Sequence, residues 1–291
     1  ILKFYTDVAG LSAGVAGTIL LVARCVDALD APVWGVIFEK THSRYGKSRP
    51  WFLWLCAPFA IFGVLTFLSP DLSSTAKAIY AGGTYIVCSV LYTGINTPVT
   101  SILSALTPDP KERVTLTCHR MFGSKMGVLL VNATAWPLVA WFGQGNDKKG
   151  FMLTMPIFAA VSVLLYLLAF INLKENIGVK PKPLSIKGSF GAIPGNWPWI
   201  IIFVSCFCFW IAFISRISLV PYYFEYSWHR KDLIPIVNSL DVVSLASIFL
   251  IPWFCKFVSK KNVWLWGLLG SVIAQLLIYA GSVAQSLPVI L

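Results

Sequence analysis

The 291 residues are 57% hydrophobic and only 12% charged, with a formal net charge of +11; a soluble domain carries about 25% charged residues. Such a chain cannot cover itself with a water-compatible surface, which excludes an ordinary soluble enzyme or binding module. The excess of Lys and Arg lies in short loops between apolar runs, so it points to membrane surfaces and no nucleic-acid partner.

Runs of about 20 apolar residues, enough to cross a hydrocarbon layer of ~30 Å, predict a short stub at 1–5. Eight spans follow, near 11–38, 51–69, 77–106, 118–143, 151–173, 197–225, 233–258 and 262–284. Helices are the unclosed structure that satisfies backbone groups in lipid, so the expected fold is an all-α polytopic membrane protein. The start shows no cleavable signal pattern. The chain opens at Ile1 and stops at Leu291, and the expectation is a truncated chain with about nine spans present.

The first full span carries Arg24, Asp27 and Asp30. Spacings of three put them on one helical face. A charge at mid-bilayer costs ~2.5–3.5 kcal/mol on insertion scales, so all three must face a partner helix or a wet cavity. An ion pair would use Arg24 and one aspartate; the second carboxylate is then left to hold a small cation or a proton. Loops after alternate spans carry Lys40, Arg44, Lys47 and Arg49; Lys111 and Arg113; Lys174 to Lys187; and Lys256, Lys260 and Lys261. These predict the cytoplasmic face.

The span 77–106 carries Tyr92, Thr93, Asn96, Thr97 and Thr100 around Pro98. Tyr92, Asn96 and Thr100 share one face, offering a ring, an amide and a hydroxyl to a polyol; the plainer reading is polar contact between helices. Arg120 opens the span 118–143, where it either snorkels to the interface or serves a site. Lys125 lies deeper, able to neutralise an acidic site or meet a sugar hydroxyl. Arg216 is expected near an aromatic interfacial belt, and Asp241 inside its own span. Seven cysteines show no metal-ligand spacing and read as packing residues.

The longest connection, 174–196, has four lysines and three prolines and reads as a linker between two helical halves. The expected domains are therefore a bundle over 1–173, a cytoplasmic linker over 174–196 and a partial second bundle over 197–291.

The run Phe4-Tyr5-Thr6-Asp7 followed by Ala23-Arg24-Cys25-Val26-Asp27-Ala28-Leu29-Asp30-Ala31-Pro32 and Glu39-Lys40-Thr41-His42-Ser43-Arg44-Tyr45-Gly46-Lys47-Ser48-Arg49-Pro50 resembles the glycoside–pentoside–hexuronide:cation symporter family. This is the melibiose-permease group of the major facilitator superfamily. The likeness continues through Tyr92-Thr93-Gly94-Ile95-Asn96-Thr97-Pro98, the Arg120 segment and Pro221-Tyr222-Tyr223-Phe224-Glu225-Tyr226.

The resemblance implies two six-helix bundles alternating access to a central sugar site, in a multi-pass plasma-membrane protein that is not an enzyme. It implies no cofactor; the partners are a sugar, the bilayer and a coupling ion, Na⁺, Li⁺ or H⁺, with no metal beyond Na⁺ at Asp27. By this likeness Asp27 and Thr93 serve the cation, and Tyr92, Asn96 and Arg120 the sugar, with Arg24 close to the charged network; the residues themselves add Asp30 to the expected cation site and Arg24 and Lys125 to the expected sugar side. The loop with Glu39, Arg44, Gly46 and Arg49 gates the cytoplasmic side through contacts between bundles.

The chain departs from the pattern twice. Ala31 and Asp30 stand where the family has an aspartate and an asparagine, which moves a carboxylate about 100° round the helix. Asn96 and Thr100 stand where it has an aspartate and a tryptophan. Rival expectations are an uncoupled sugar facilitator or sensor, and an intramembrane prenyltransferase-type enzyme.

Overall fold

The computed structural model describes residues 1–41, 43–175, 194–224 and 241–283. Among them there is no strand. A short π-helical turn, Phe4–Val8, leads into α1 (Ala13–Glu39), α2 (Arg49–Thr66), α3 (Ser74–Leu106), α4 (Pro110–Gly143) and α5 (Asp147–Asn172); α6 (Trp197–Tyr222), α7 (Asp241–Phe257) and α8 (Lys260–Val283) follow.

These bounds track the apolar runs closely, with one informative difference. The helix expected from residue 118 begins at Pro110. Its first turns carry Lys111, Glu112 and Arg113, Asp109 caps it by accepting the Lys111 N–H, and Pro110 occupies the first turn. Capping and proline chemistry thus extend the helix beyond its apolar part. Ser12, Ser73 and Asn146 cap α1, α3 and α5 in the same way.

Among the described residues, six helices are long and apolar enough to cross a membrane: α2, α3, α4, α5, α6 and α8. The described part of the span expected at 233–258 is the shorter α7, 17 residues long. The other expected span, α1, has 27 residues, about 40 Å at 1.5 Å per residue, so length does not limit it. Every 18-residue stretch of α1 contains Arg24, Asp27 and Asp30, and those charges alone set it apart. Each of α1 to α5 also holds an internal proline, which membrane helices tolerate when neighbours re-satisfy the freed carbonyls.

The chain divides into two compact units, Ile1–Arg113 with Met126–Pro181, and Val114–Lys125 with Lys182–Leu291. In the first, α3 packs on α1 and α2, and α2 on α5. Its buried core gathers Phe4, Tyr5, Leu11, Ala16, Ile19, Ala81, Val139 and Phe151, where the π-turn meets the starts of α1, α3 and α5 and the end of α4. The Tyr5 hydroxyl donates to the Ala81 carbonyl at 3.2 Å, and Phe4 packs edge-on against Phe151. In the second unit, α7 packs on α8, Phe209 of α6 meets Trp264 of α8, and His119 and Phe122 of α4 meet Phe249 of α7.

At the end of the first unit that holds the π-turn, Lys148 pairs with Asp71. Its hydrogen bond and charge hold the exposed Asp71 carboxyl below its ordinary value of 3.8. The pairing is therefore present above that value and is lost as pH falls through the lowered one. With Asp71 open to solvent and Lys148 half-exposed, the pair orients the loop more than it stabilises the fold.

Close approach of α1 to α3 depends on Gly94. A Cβ there would lie 2.7 Å from the Trp34 ring and 2.9 Å from Leu55; Trp34 in turn stands edge-on to Trp51 at 5.6 Å. Small residues let membrane helices approach without a hydrophobic driving force between them. Gly94→Ala is expected to cost about 1–3 kcal/mol by overpacking, read as a lowered unfolding temperature in detergent. Gly17→Ala, with nothing within 4 Å of its Cβ position, is expected to cause no loss.

Candidate functional site

The charges of α1 find their partners on α3. Arg24 Nη1 bridges to Asp27 Oδ2 at 3.0 Å one turn away, and Arg24 Nη2 donates to the Tyr85 hydroxyl at 3.4 Å. The Ser89 hydroxyl donates to Asp27 Oδ1 at 2.6 Å, and Thr93 faces Asp30. The partners rise together, 24 with 85, 27 with 89 and 30 with 93, so α1 and α3 run parallel and form a polar ladder. Steps of three on one helix match steps of four on the other because both lie near one turn.

The two aspartates are not equivalent. Both Asp27 oxygens are engaged, one by Ser89 and one by Arg24. Both Asp30 oxygens are buried, with the Thr93 hydroxyl as their neighbour on α3; that hydroxyl also lies 3.2 Å from the Ser89 carbonyl. Arg24 itself is open, its side chain 70% exposed against 20% for Asp27. Tyr85 and Ser89 are absent from the sequence-derived set. Extending the Thr93 face of α3 back by four and eight residues reaches both.

Tyr92, Asn96 and Thr100 lie along one exposed face of α3, as their spacing predicts. The Thr97 and Thr100 hydroxyls bond back to the carbonyls of Thr93 and Asn96 around Pro98, which leaves the Asn96 amide for another partner. Phe59 lies 6.4 Å from the Tyr92 ring and stands edge-on to Tyr166, giving that face an aromatic flank. Arg120 and Lys125 belong to the second unit. Arg120 has a buried Nε without a partner, so it does not simply snorkel; the side chain of Lys125 is partly buried. Arg216 is exposed on α6, and Asp241 opens α7. Glu225 and Tyr226 of the aromatic motif, and His42 of the loop motif, fall outside the described residues.

The expected gating loop is held within its own unit. Glu39 pairs with Lys47 at 3.2 Å, and Arg44 donates to Tyr45. Arg49 donates twice to the Phe170 carbonyl, at 3.1 and 2.7 Å. The organising residue is Glu175, whose carboxylate accepts the backbone N–H groups of Lys47, Ser48 and Arg49 at 2.9, 2.6 and 3.2 Å. The Ser48 side chain makes no cap for α2, so a carboxylate from beyond α5 does it, where the helix dipole favours negative charge. Gly46 makes room: its φ is +102°, and a Cβ would stand 2.6 Å from Glu175. In the sequence, Glu175 is the one acid among the lysines of 174–196, a signal that spacing alone does not raise.

Two outcomes follow. Ser89→Ala is expected to destabilise the protein in lipid by about 0.6–1.7 kcal/mol, the range for interhelical hydrogen bonds in membranes, with Ser89→Thr closer to wild type. Glu175→Ala is expected to cost about 0.5–2 kcal/mol, as for a lost N-cap, and to speed proteolytic cleavage within residues 40–48.

Comparison with known proteins agrees with this architecture. The family model described as "MFS/sugar transport protein" matches residues 1–290. Over 291 residues, 99% of the chain, it is 40% identical to a protein named isoprimeverose transporter from Lactiplantibacillus pentosus, covering 61% of that protein. It is 35% identical over 247 residues, 84% of the chain and 53% of the relative, to a putative glycoside/cation symporter of Escherichia coli K12. A glucuronide carrier protein homolog from the same organism is 28% identical over the full chain and 64% of its own length. The chain thus spans about three-fifths of the length of these relatives. An all-α chain with six helices fit to span a membrane, matched by this family model from end to end, is a multi-pass membrane protein and belongs to the MFS/sugar transport protein family.

Proposed function

We propose that the chain is the larger part of a secondary transporter that carries a neutral glycoside together with a cation by alternating access. The observation that carries this reading is the α1–α3 ladder, with Arg24, Asp27 and Asp30 inside a helix that length alone would let span the bilayer. Charges in such a place serve pathways and couplings far more often than stability. Support for a glycoside comes from the printed name of the relative at 40% identity, and support for cation coupling from the relative named a glycoside/cation symporter.

The residues divide the work by chemistry. A carboxylate on α1 takes the cation; Tyr92, Asn96 and the exposed Arg24 offer hydrogen bonds and a flat ring to the sugar, with Arg120 and Lys125 as further donors. Asn96 in place of a carboxylate suits an uncharged substrate held by modest bonds rather than charge-assisted ones. Cation and sugar each bind one arrangement of the carrier better, and their differential affinities move the population between open faces. No bond in the sugar changes, in keeping with relatives named as transporters rather than enzymes.

The test is uptake of radiolabelled isoprimeverose and of a β-glucuronide into vesicles containing the full-length protein, under imposed Na⁺ or H⁺ gradients. Saturable, gradient-driven accumulation of isoprimeverose is expected. Asn96→Ala should raise its half-saturation concentration about 2- to 10-fold, for the loss of about 0.5–1.5 kcal/mol of hydrogen bonding. Saturable uptake indifferent to every gradient would make the protein a facilitator. Absence of uptake with diphosphate turnover in its place would restore the enzyme reading.

A further inference from the structure

We propose that the groove between α2 and α5 holds one anionic phospholipid, its acyl chain against the helices and its phosphate at Lys149. The proposal stands apart from the choice of sugar and coupling ion.

The groove follows from residue size. Nearer the basic-loop end, Tyr166 of α5 stacks on Phe52 of α2 and stands edge-on to Phe59, so rings fill the space between the helices. Beyond Phe59 the side chains are smaller, with Ala60 on α2 and Ala159 and Ala160 on α5. They leave a groove of about 330 Å³, lined by Ala, Val, Ile, Leu and Pro side chains and by no polar one. Water finds no hydrogen-bond partner in such a place, and an apolar chain recovers the dispersion contacts that bare walls lack. Ile61, Pro156 and Ala160 on the lining are exposed, so the groove opens onto the hydrocarbon.

The groove alone would take any acyl chain, and the charge above it selects the headgroup. From Lys149 to the lining residues Pro156, Ala160 and Val163 the gaps are 7, 11 and 14 residues. Each is near a whole number of 3.6-residue turns, so Lys149 heads the groove's own face of α5. Asp147, two residues earlier, lies about 200° round the helix, and Lys148 turns aside to pair with Asp71. The Lys149 backbone N–H bonds to Asn146, while its exposed side chain pairs with none of the described residues. One uncompensated positive charge therefore stands over an apolar groove.

Depth agrees. At 1.5 Å per residue, Pro156 lies about 10 Å and Val163 about 21 Å along α5 from Lys149, against about 20 Å for half a bilayer with its headgroups. Trp141, 71% exposed, stands where the end of α4 closes on the start of α5 at Gly143 and Gly150, and an exposed tryptophan at this level marks the interface. The lysine thus sits among headgroups, and the groove among the acyl chains of the leaflet opposite the basic loops. A second copy of the chain is the poorer occupant, since it would have to meet Lys149 with an acid or bury its charge unpaired.

The experiment is native mass spectrometry of the full-length protein, delipidated in detergent and titrated with phosphatidylglycerol or with phosphatidylcholine of the same acyl chains. One phosphatidylglycerol is expected to bind about fivefold more tightly than phosphatidylcholine, the effect of one lysine on an anionic lipid. Lys149→Gln should bind the two alike. Ala160→Phe, whose ring fills the groove, should lose the bound lipid, and Leu165→Phe, half a turn away on α5, should keep it. Unfolding temperatures report that the variants are folded, and the surface change at Lys149 keeps the test decisive should Ala160→Phe not fold. Equal binding of both lipids by the wild type, or a preference for phosphatidylglycerol that survives in Lys149→Gln, overturns the proposal. So does lipid binding unchanged in folded Ala160→Phe, or a lipid-free wild-type dimer that Ala160→Phe splits, which would make the groove an interface between copies.

Discussion

A charge inside a membrane-spanning helix has to find its partner within the protein, because lipid offers none. That constraint shapes the first unit. Arg24 and Asp27 satisfy each other and reach to Tyr85 and Ser89 on α3, which fixes α1 parallel to α3 at one register. Gly94 then permits the approach from the α3 side, and Trp34 seats against it one turn beyond Asp30. Packing and electrostatics agree on the same alignment, so a shift of α1 by one turn would lose both.

With that alignment, Asp30 is the member left over. Its position is the consequence of a carboxylate standing one residue earlier than in the family that the sequence resembles, with Ala31 in its place. Three residues along α1 separate an aspartate engaged by Ser89 and Arg24 from another whose oxygens are buried beside Thr93.

Much of this was legible in the residues. Apolar runs gave the helices almost to their ends, because a bilayer imposes length and polarity directly; the spacing of Arg24, Asp27 and Asp30 gave a single face, and Tyr92, Asn96 and Thr100 another. Legibility failed where the partner is distant in the chain. Nothing in the spacing says that Ser89 reaches Asp27 across 62 residues, or that Glu175 caps α2 across more than 120. Capping from afar also adds what spacing did not show for the loop between α1 and α2, which Glu175 and Phe170 of its own unit hold. The extra turns at the start of α4 were missed for a related reason: Asp109 and Pro110 set that end, and hydropathy does not register caps.

The most direct measurement of the central claim is a double-mutant cycle on the full-length protein in lipid that combines Asp27→Asn with Ser89→Ala. A coupling energy of about 0.6–1.7 kcal/mol is expected for side chains that bond across α1 and α3. Effects of the two substitutions that simply add would contradict the account.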